Sequence, residues 1–159
     1  LQIYRFGKTV TIVKPKNGVV YEYPLLIIKK NRELGLHTLA LLEIDVENNY
    51  YMTPKEAIKL LLDMQRMRDE VVLRNDDKVV ILKYIGSDKS SIFVETVEEI
   101  LRKDYEKTLY TIIIPTRNLH PVEEECLENT AKLRLIPEID IEILGQIASL
   151  LRKITEATK

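Results

Sequence analysis

The sequence predicts an α/β fold whose sheet is covered on both faces, and three observations carry that reading. HTLALLEI (His37 to Ile44) and KVVILKYI (Lys78 to Ile85) are almost unbroken apolar runs of strand length. A helical segment with its own start signal lies between them, and a small Gly86-Ser87-Asp88 loop follows the second run at once. Strands that are apolar throughout are buried on both sides, which with an intervening helix predicts a parallel sheet. Ligands of such sheets sit beyond the carboxyl ends of the strands. Leu42 and the Ile85–Gly86 junction are therefore where a site is expected.

Each element has a local reason. Residues 2–13 read as one or two short strands around Gly7, and Asn17-Gly18 is a turn signal. Pro24 to Leu34 reads as a helix carrying Lys30 and Arg32 in its last turn, with Gly35 placed to end it. The first apolar strand follows, and Asn48-Asn49 marks a loop. Thr53-Pro54-Lys55-Glu56 then opens a helix: Thr53 can cap free amides, Pro54 suits the first turn, and Glu56 can reach back. Ala57, Leu61, Met64 and Met67, with Ile58, Leu60 and Leu62, give it a broad apolar face, read as core. Asn75-Asp76-Asp77 turns the chain into the second apolar strand. SIFVET (Ser91 to Thr96) reads as a strand, and Thr96 with Glu99 forms a second capping-box pattern opening a helix to about Tyr105. Leu109 to Pro115 is a third apolar strand, and Pro121 to Lys132 a helix. From Pro137 to Thr155 an apolar stripe of Leu144, Ile147, Leu151 and Ile154 recurs at helical spacing, although Ile139 to Ile143 alternates like a strand.

Bulk properties narrow the function. The 159 residues carry 24 basic and 25 acidic side chains, a net charge of −1. No overall electrostatic attraction draws such a chain to nucleic acid or an anionic membrane. The cluster of Lys14, Lys16, Lys29, Lys30 and Arg32 reads as a solvated face. One cysteine, Cys126, forbids an internal disulfide and fits a reducing compartment. No apolar run approaches a membrane span, and no signal-peptide pattern opens the chain. The first residues already read as folded structure, which leads us to expect missing sequence upstream.

The chemistry-bearing residues are sparse. Glycines stand at 7, 18, 35, 86 and 145, too far apart for a phosphate-cradling loop. His120, Glu123 and Glu124 share a helix face but read as polar surface, and no metal site is expected. Cys126 lacks a basic neighbour to lower its pKa and reads as a buried structural thiol. Glu43, Asp45 and Glu47 alternate at a strand end; acid–base work and the polar face of a departing strand are both open, the second being the commoner case.

Five segments in order, LQIYRFGKTVTI (1–12), GLHTLALLEI (35–44), YYMTPKEAIKLLL (50–62), IGSD (85–88) and LHPVEEECL (119–127), resemble the C-terminal part of the diphthine synthase family. Those methyltransferases have the tetrapyrrole-methylase fold. The resemblance implies a mixed sheet flanked by helices, with residues 1–136 the C-terminal methyltransferase lobe and 137–159 a helical tail of the same domain. The family's N-terminal cofactor-binding lobe is absent from this chain. It further implies S-adenosylmethionine as cofactor, S-adenosylhomocysteine as product, and translation elongation factor 2 as protein substrate, methylated on its modified histidine toward diphthamide. A cytoplasmic homodimer is the implied form. By the same resemblance, Leu42, Ile85 and Tyr110 contact the cofactor, Ile85 and Tyr110 through backbone groups; no catalytic residue is assigned. The chain departs from the family pattern at Tyr84, Glu43 and the glycine-free PTRNLH loop (Pro115 to His120). The alternative reading is a truncated remnant that has lost catalysis and serves as a binding or assembly module.

Overall fold

A computed structural model of the chain describes residues 3–133. Eleven elements follow in order: β1 (Val10–Ile12), α1 (Tyr23–Glu33), β2 (Thr38–Leu42), β3 (Ile44–Asp45), β4 (Tyr50–Tyr51), α2 (Pro54–Met67), β5 (Lys78–Lys83), β6 (Ser91–Thr96), α3 (Val97–Arg102), β7 (Tyr110–Ile114) and α4 (Pro121–Leu133). The expected tail from Pro137, and the proposed boundary at 136, lie outside the described residues.

Local chemistry sets the element ends. Thr53 and Thr96 each accept a hydrogen bond from the amide three residues on, while Glu56 and Glu99 reach back to the cap amides. Gly35 (φ 70°) ends α1 after Leu34. Asn17 (φ 53°) and Gly18 (φ 75°) make the first turn, pairing Lys16 with Val19. Among the helices α3 is shorter than expected, stopping at Arg102 because Lys103 is already extended, and β2, β5 and β7 each pair over fewer residues than their apolar runs.

The main sheet has the order β1-β2-β7-β5-β6, and β3 with β4 forms a separate two-stranded ribbon. Only β1 and β2 run parallel; β7 is antiparallel to both β2 and β5, and β6 antiparallel to β5. The two apolar runs thus point the same way but never touch, because β7 is inserted between them. This corrects the parallel-sheet expectation and agrees with the mixed sheet. A strand buried on both faces reads as a continuous apolar run whichever way its neighbours point.

Alternation along the strands divides the core in two. Val10, Ile12, Ala40, Leu42, Val79, Ile81, Ile112 and Ile114 face α1, α2 and α3, meeting Leu25, Ile28, Ala57, Ile58, Leu61, Met64 and Ile100. On the other face Val80, Val94 and Ile113 meet Leu127 of α4. The α2 stripe is core up to Met64. Met67, at the last position of α2, is 63% exposed, because the helix has by then run past the sheet it covers.

Long-range polar contacts tie the elements together. Asn31, buried on α1, accepts from the Lys8 amide and donates to the Lys8 carbonyl and the Thr38 hydroxyl, at 3.1, 2.9 and 2.9 Å. Arg32 does not join the solvated face expected of it. It is folded inward onto Asp77 at 2.7 Å, with both side chains about nine-tenths buried.

Candidate cofactor-facing end of the sheet

Leu42 closes β2, Tyr110 opens β7, and Ile85 lies two residues beyond β5. The register explains why they converge. Leu41 pairs with Thr111, and Lys83 pairs with Tyr110. Because β7 runs against both neighbours, its start meets their carboxyl ends, and all three residues lie at one end of the sheet. The β2–β7 ladder stops at Leu41 and Thr111, one step short of Leu42 and Tyr110. The pairing of the two strands ends there, at the carboxyl end of β2, the place where ligands of open α/β sheets sit.

The loop that carries Ile85 is tightly wound. The Tyr84 amide donates to the Leu109 carbonyl at 3.2 Å, which anchors the loop to the start of β7. The Ser87 amide and hydroxyl both donate to the Tyr84 carbonyl, at 3.1 and 2.9 Å. Tyr84 (φ 50°) and Gly86 (φ 90°) both take left-handed backbone conformations. A glycine adopts this shape at little steric cost, and a tyrosine pays roughly 1 kcal/mol. The loop leaves the Ile85 side chain 57% exposed.

Leu41, Ile44, Ile85, Ile92 and Leu109 form an exposed aliphatic fringe around this end. Tyr110 is 7% exposed and lines a cavity of about 290 Å³ with Lys83, Phe93, Glu95, Lys103 and Tyr105. Burial raises its hydroxyl pKa. Glu95 at the back of this cavity accepts from Tyr105 and pairs with Lys103 at 3.3 Å. Lys83 is bonded to Glu106 at 2.8 Å, which raises its pKa and keeps it cationic.

On the other flank, the Lys14 ammonium sits 4.0 Å above the Tyr50 ring. Burial, with Glu56 and Glu43 nearby, pushes the Tyr50 hydroxyl up to about 12, so it is neutral at physiological pH. Sequence reasoning missed this pair, whose partners lie 36 positions apart with no pattern linking them. Glu43, Asp45 and Glu47 do not form an acid–base set. Glu43 accepts from the Lys14 amide at 2.7 Å, Asp45 binds the Asn48 side chain at 2.7 Å, and Glu47 is exposed.

At the opposite end of the sheet two expectations need correction. Glu123 was read as polar surface; its side chain is fully buried and bonded to Arg5 at 2.6 Å and His37 at 3.0 Å. The start of β2 gives a buried histidine that needs an acceptor, and α4 supplies it. Cys126 is half-buried, not buried. Among the described residues no group of three or more His, Cys, Asp and Glu side chains is arranged to hold a metal ion. Among them, too, no helix is long and apolar enough to cross a membrane.

No family model matches the chain. It is 39% identical over 128 residues to a diphthine synthase of Methanococcus aeolicus, matching 80% of this chain and 49% of that protein. A diphthine synthase of Methanocaldococcus jannaschii is 38% identical over 130 residues, again with half of its length matched. Among solved structures, one described as a putative diphthine synthase from Entamoeba histolytica superposes with a TM-score of 0.74 at 28% identity, over 82% of this chain and 52% of that one. A conserved hypothetical protein from Aeropyrum pernix K1 superposes with a TM-score of 0.70 at 29% identity, over 96% of this chain and 54% of that one. The chain spans about half the length of the curated relatives it matches.

Proposed function

We propose, from a chain that is similar over four fifths of its length to the C-terminal part of diphthine synthases and shares their tetrapyrrole-methylase fold, that it is one lobe of such a methyltransferase. The activity is S-adenosylmethionine-dependent methylation of the modified histidine of translation elongation factor 2, on the way to diphthamide. The observation that carries the reading is that the β2–β7 pairing ends one step short of Leu42 and Tyr110, beside the exposed Ile85 loop and its aliphatic fringe. Exposed aliphatic side chains beside the backbone of strand ends suit a flat, polar-edged adenosine moiety.

When bound, S-adenosylmethionine supplies an electrophilic methyl group. On this reading the exposed Ile85 side chain offers apolar contact, while Leu42, whose side chain is 5% exposed and packed in the core, and Tyr110 act through the backbone at the strand ends. The aliphatic fringe excludes water from the reacting centre once the other lobe closes over it. The methyl acceptor is the amine of a 3-amino-3-carboxypropyl group on the histidine. A neutral amine is a competent nucleophile, so the lobe's contribution is alignment of amine and methyl carbon. No side chain of this chain is assigned as a catalytic acid or base. The lobe acts in the cytoplasm as a homodimer, on the pattern of the family.

Amide NMR of the 159-residue chain titrated with S-adenosylmethionine tests the cofactor surface. Shifts confined to the neighbourhoods of residues 42, 85 and 110 are expected; shifts centred elsewhere, or none at millimolar cofactor, refute it. Joining the chain to the N-terminal half of the Methanococcus aeolicus relative should give methyl transfer to elongation factor 2 bearing the 3-amino-3-carboxypropyl histidine. A folded fusion that binds cofactor without transferring methyl would sink the enzymatic reading.

A further inference from the structure

The end of the sheet remote from Leu42 holds a second polar cavity. It lies beyond the end of β7, roughly 13 Å from Tyr110 at about 3.3 Å per residue. Its volume is about 360 Å³, and its walls are Lys29, Arg32, Glu33, Val71, Val72, Thr116, Arg117 and Asn118. Arg32 comes from α1 and Thr116 and Arg117 from the loop after β7, and the same three line the adjoining cavity as well.

Two features single it out. Thr116 is 3% exposed, yet its hydroxyl has no hydrogen-bond partner among the described residues. Buried hydroxyls are almost always bonded, so an orphan needs a reason. The second feature is a pair of guanidinium groups with donors to spare. Arg32 is fixed by Nε on the Pro115 carbonyl at 3.1 Å, and by Nη1 on the Val72 carbonyl at 2.6 Å and Asp77 at 2.7 Å. Arg117 is fixed by Nη2 on the Val72 carbonyl and Asp77, each at 3.1 Å, and by Nε on Asp77 at 3.3 Å. Arg32 Nη2 and Arg117 Nη1 bond to nothing among the described residues.

The single carboxylate of Asp77 therefore orients two guanidinium groups while balancing only one of them. Burial opposes its charge, but hydrogen bonds from Arg117, the Arg74 amide and Arg32 outweigh that and keep it ionised. Lys29 is neutralised by Glu70 at 3.0 Å, so Glu33 on the wall is the remaining opposing charge. The arginines are already ordered by Asp77 and by backbone carbonyls, so binding an anion costs little further side-chain entropy.

We propose that this cavity binds a phosphate group, free or as a small organic ester, through Arg32 Nη2, Arg117 Nη1 and the Thr116 hydroxyl. Three donors from two elements suit an anion with at least three oxygens, whereas a carboxylate presents two. The cavity exceeds a bare phosphate, and Val71 and Val72 supply an apolar wall for an organic remainder. This site is independent of the methyl-transfer reading, and either stands if the other fails.

Amide NMR of the 159-residue chain at constant ionic strength tests it, with glycerol 3-phosphate, inorganic phosphate and acetate as probes. Saturable shifts at Thr116, Arg117 and Asn118 are expected with the phosphates. Equal affinity for both phosphates assigns the site to the free ion; tighter binding of glycerol 3-phosphate assigns it to an ester. Arg117→Gln and Thr116→Val should each weaken binding at least fivefold. In phosphate-free buffer Thr116→Val should melt no lower than the parent, since the hydroxyl it removes bonds nothing. Non-saturating shifts, acetate binding as tightly as phosphate, or an Arg117→Gln titration that superposes on the parent would overturn the proposal.

Discussion

Replacing Glu123 by Gln isolates one charge in a fully buried site. The carboxylate accepts from Arg5 Nη2 at 2.6 Å and from the His120 amide at 2.9 Å. Its third partner is His37. The Thr116 amide donates to Nδ1 of that ring at 3.2 Å, so the neutral imidazole carries its proton on Nε2 and gives it to Glu123 at 3.0 Å. Burial opposes ionisation, but Arg5, the His120 amide and His37 outweigh it and hold Glu123 at about 2 against an ordinary 4.5. At about 1.4 kcal/mol per pKa unit this difference is worth about 3 kcal/mol. A depressed folded-state pKa gives stability that is complete above the unfolded value and is lost as pH falls from 4.5 toward 2. Glu123→Gln should therefore lower unfolding stability by about 3 kcal/mol at pH 7, or about 10 °C in Tm for a domain of this size. At pH 3 the parent has lost more than half of that advantage, and the gap should narrow to roughly 1.5 kcal/mol. Urea denaturation followed by circular dichroism at both pH values measures the two gaps. A gap below about 1 kcal/mol at pH 7, or one unchanged at pH 3, would refute the assignment of this carboxylate as a charged staple.

Three further outcomes are expected. Thr53→Ala removes the side-chain half of the α2 capping box and should cost about 1 kcal/mol in chemical denaturation, with amide shifts around residues 42, 85 and 110 unchanged. Gly7→Ala places a Cβ against the amide of Asn31, which is fixed on Lys8 and Thr38; loss of those buried bonds should cost at least about 2 kcal/mol by the same measurement. Ile85→Asp sits on an exposed side chain, so thermal stability should change by less than about 0.5 kcal/mol while S-adenosylmethionine binding weakens at least tenfold.

Much of the fold was legible because its determinants are local. Both capping boxes, the 91–96 strand and the glycine that ends α1 rest on residues within a turn of each other. Sheet order was not legible. The apolar runs of β2 and β5 report burial on both faces but not which strand lies between them, and that strand, β7, begins at Tyr110, 27 positions after β5 ends at Lys83. Arg32 and Glu123 were misread for a related reason. A charged residue near a helix end is usually solvated, and only the tertiary pairings to Asp77 and to His37 with Arg5 reveal inward-facing charges. That Leu42 and Ile85 share one end of the sheet was legible because strand termini fix it, whereas the Lys14–Tyr50 contact and the Thr116 cavity arise between segments with no sequence relation.

The position of β7 constrains how the protein can be made. It is the last strand of the described chain and the middle one of its sheet. Until Ile114 has left the ribosome, β1–β2 and β5–β6 are two ribbons, each with an open edge facing the gap. A direct pairing of β2 with β5 would be parallel and would leave no place for β7, so the native sheet waits for that strand. Nascent chains halted before Tyr110 should therefore be held by chaperones or aggregate through those edges, and arrest beyond Ile114 should release them.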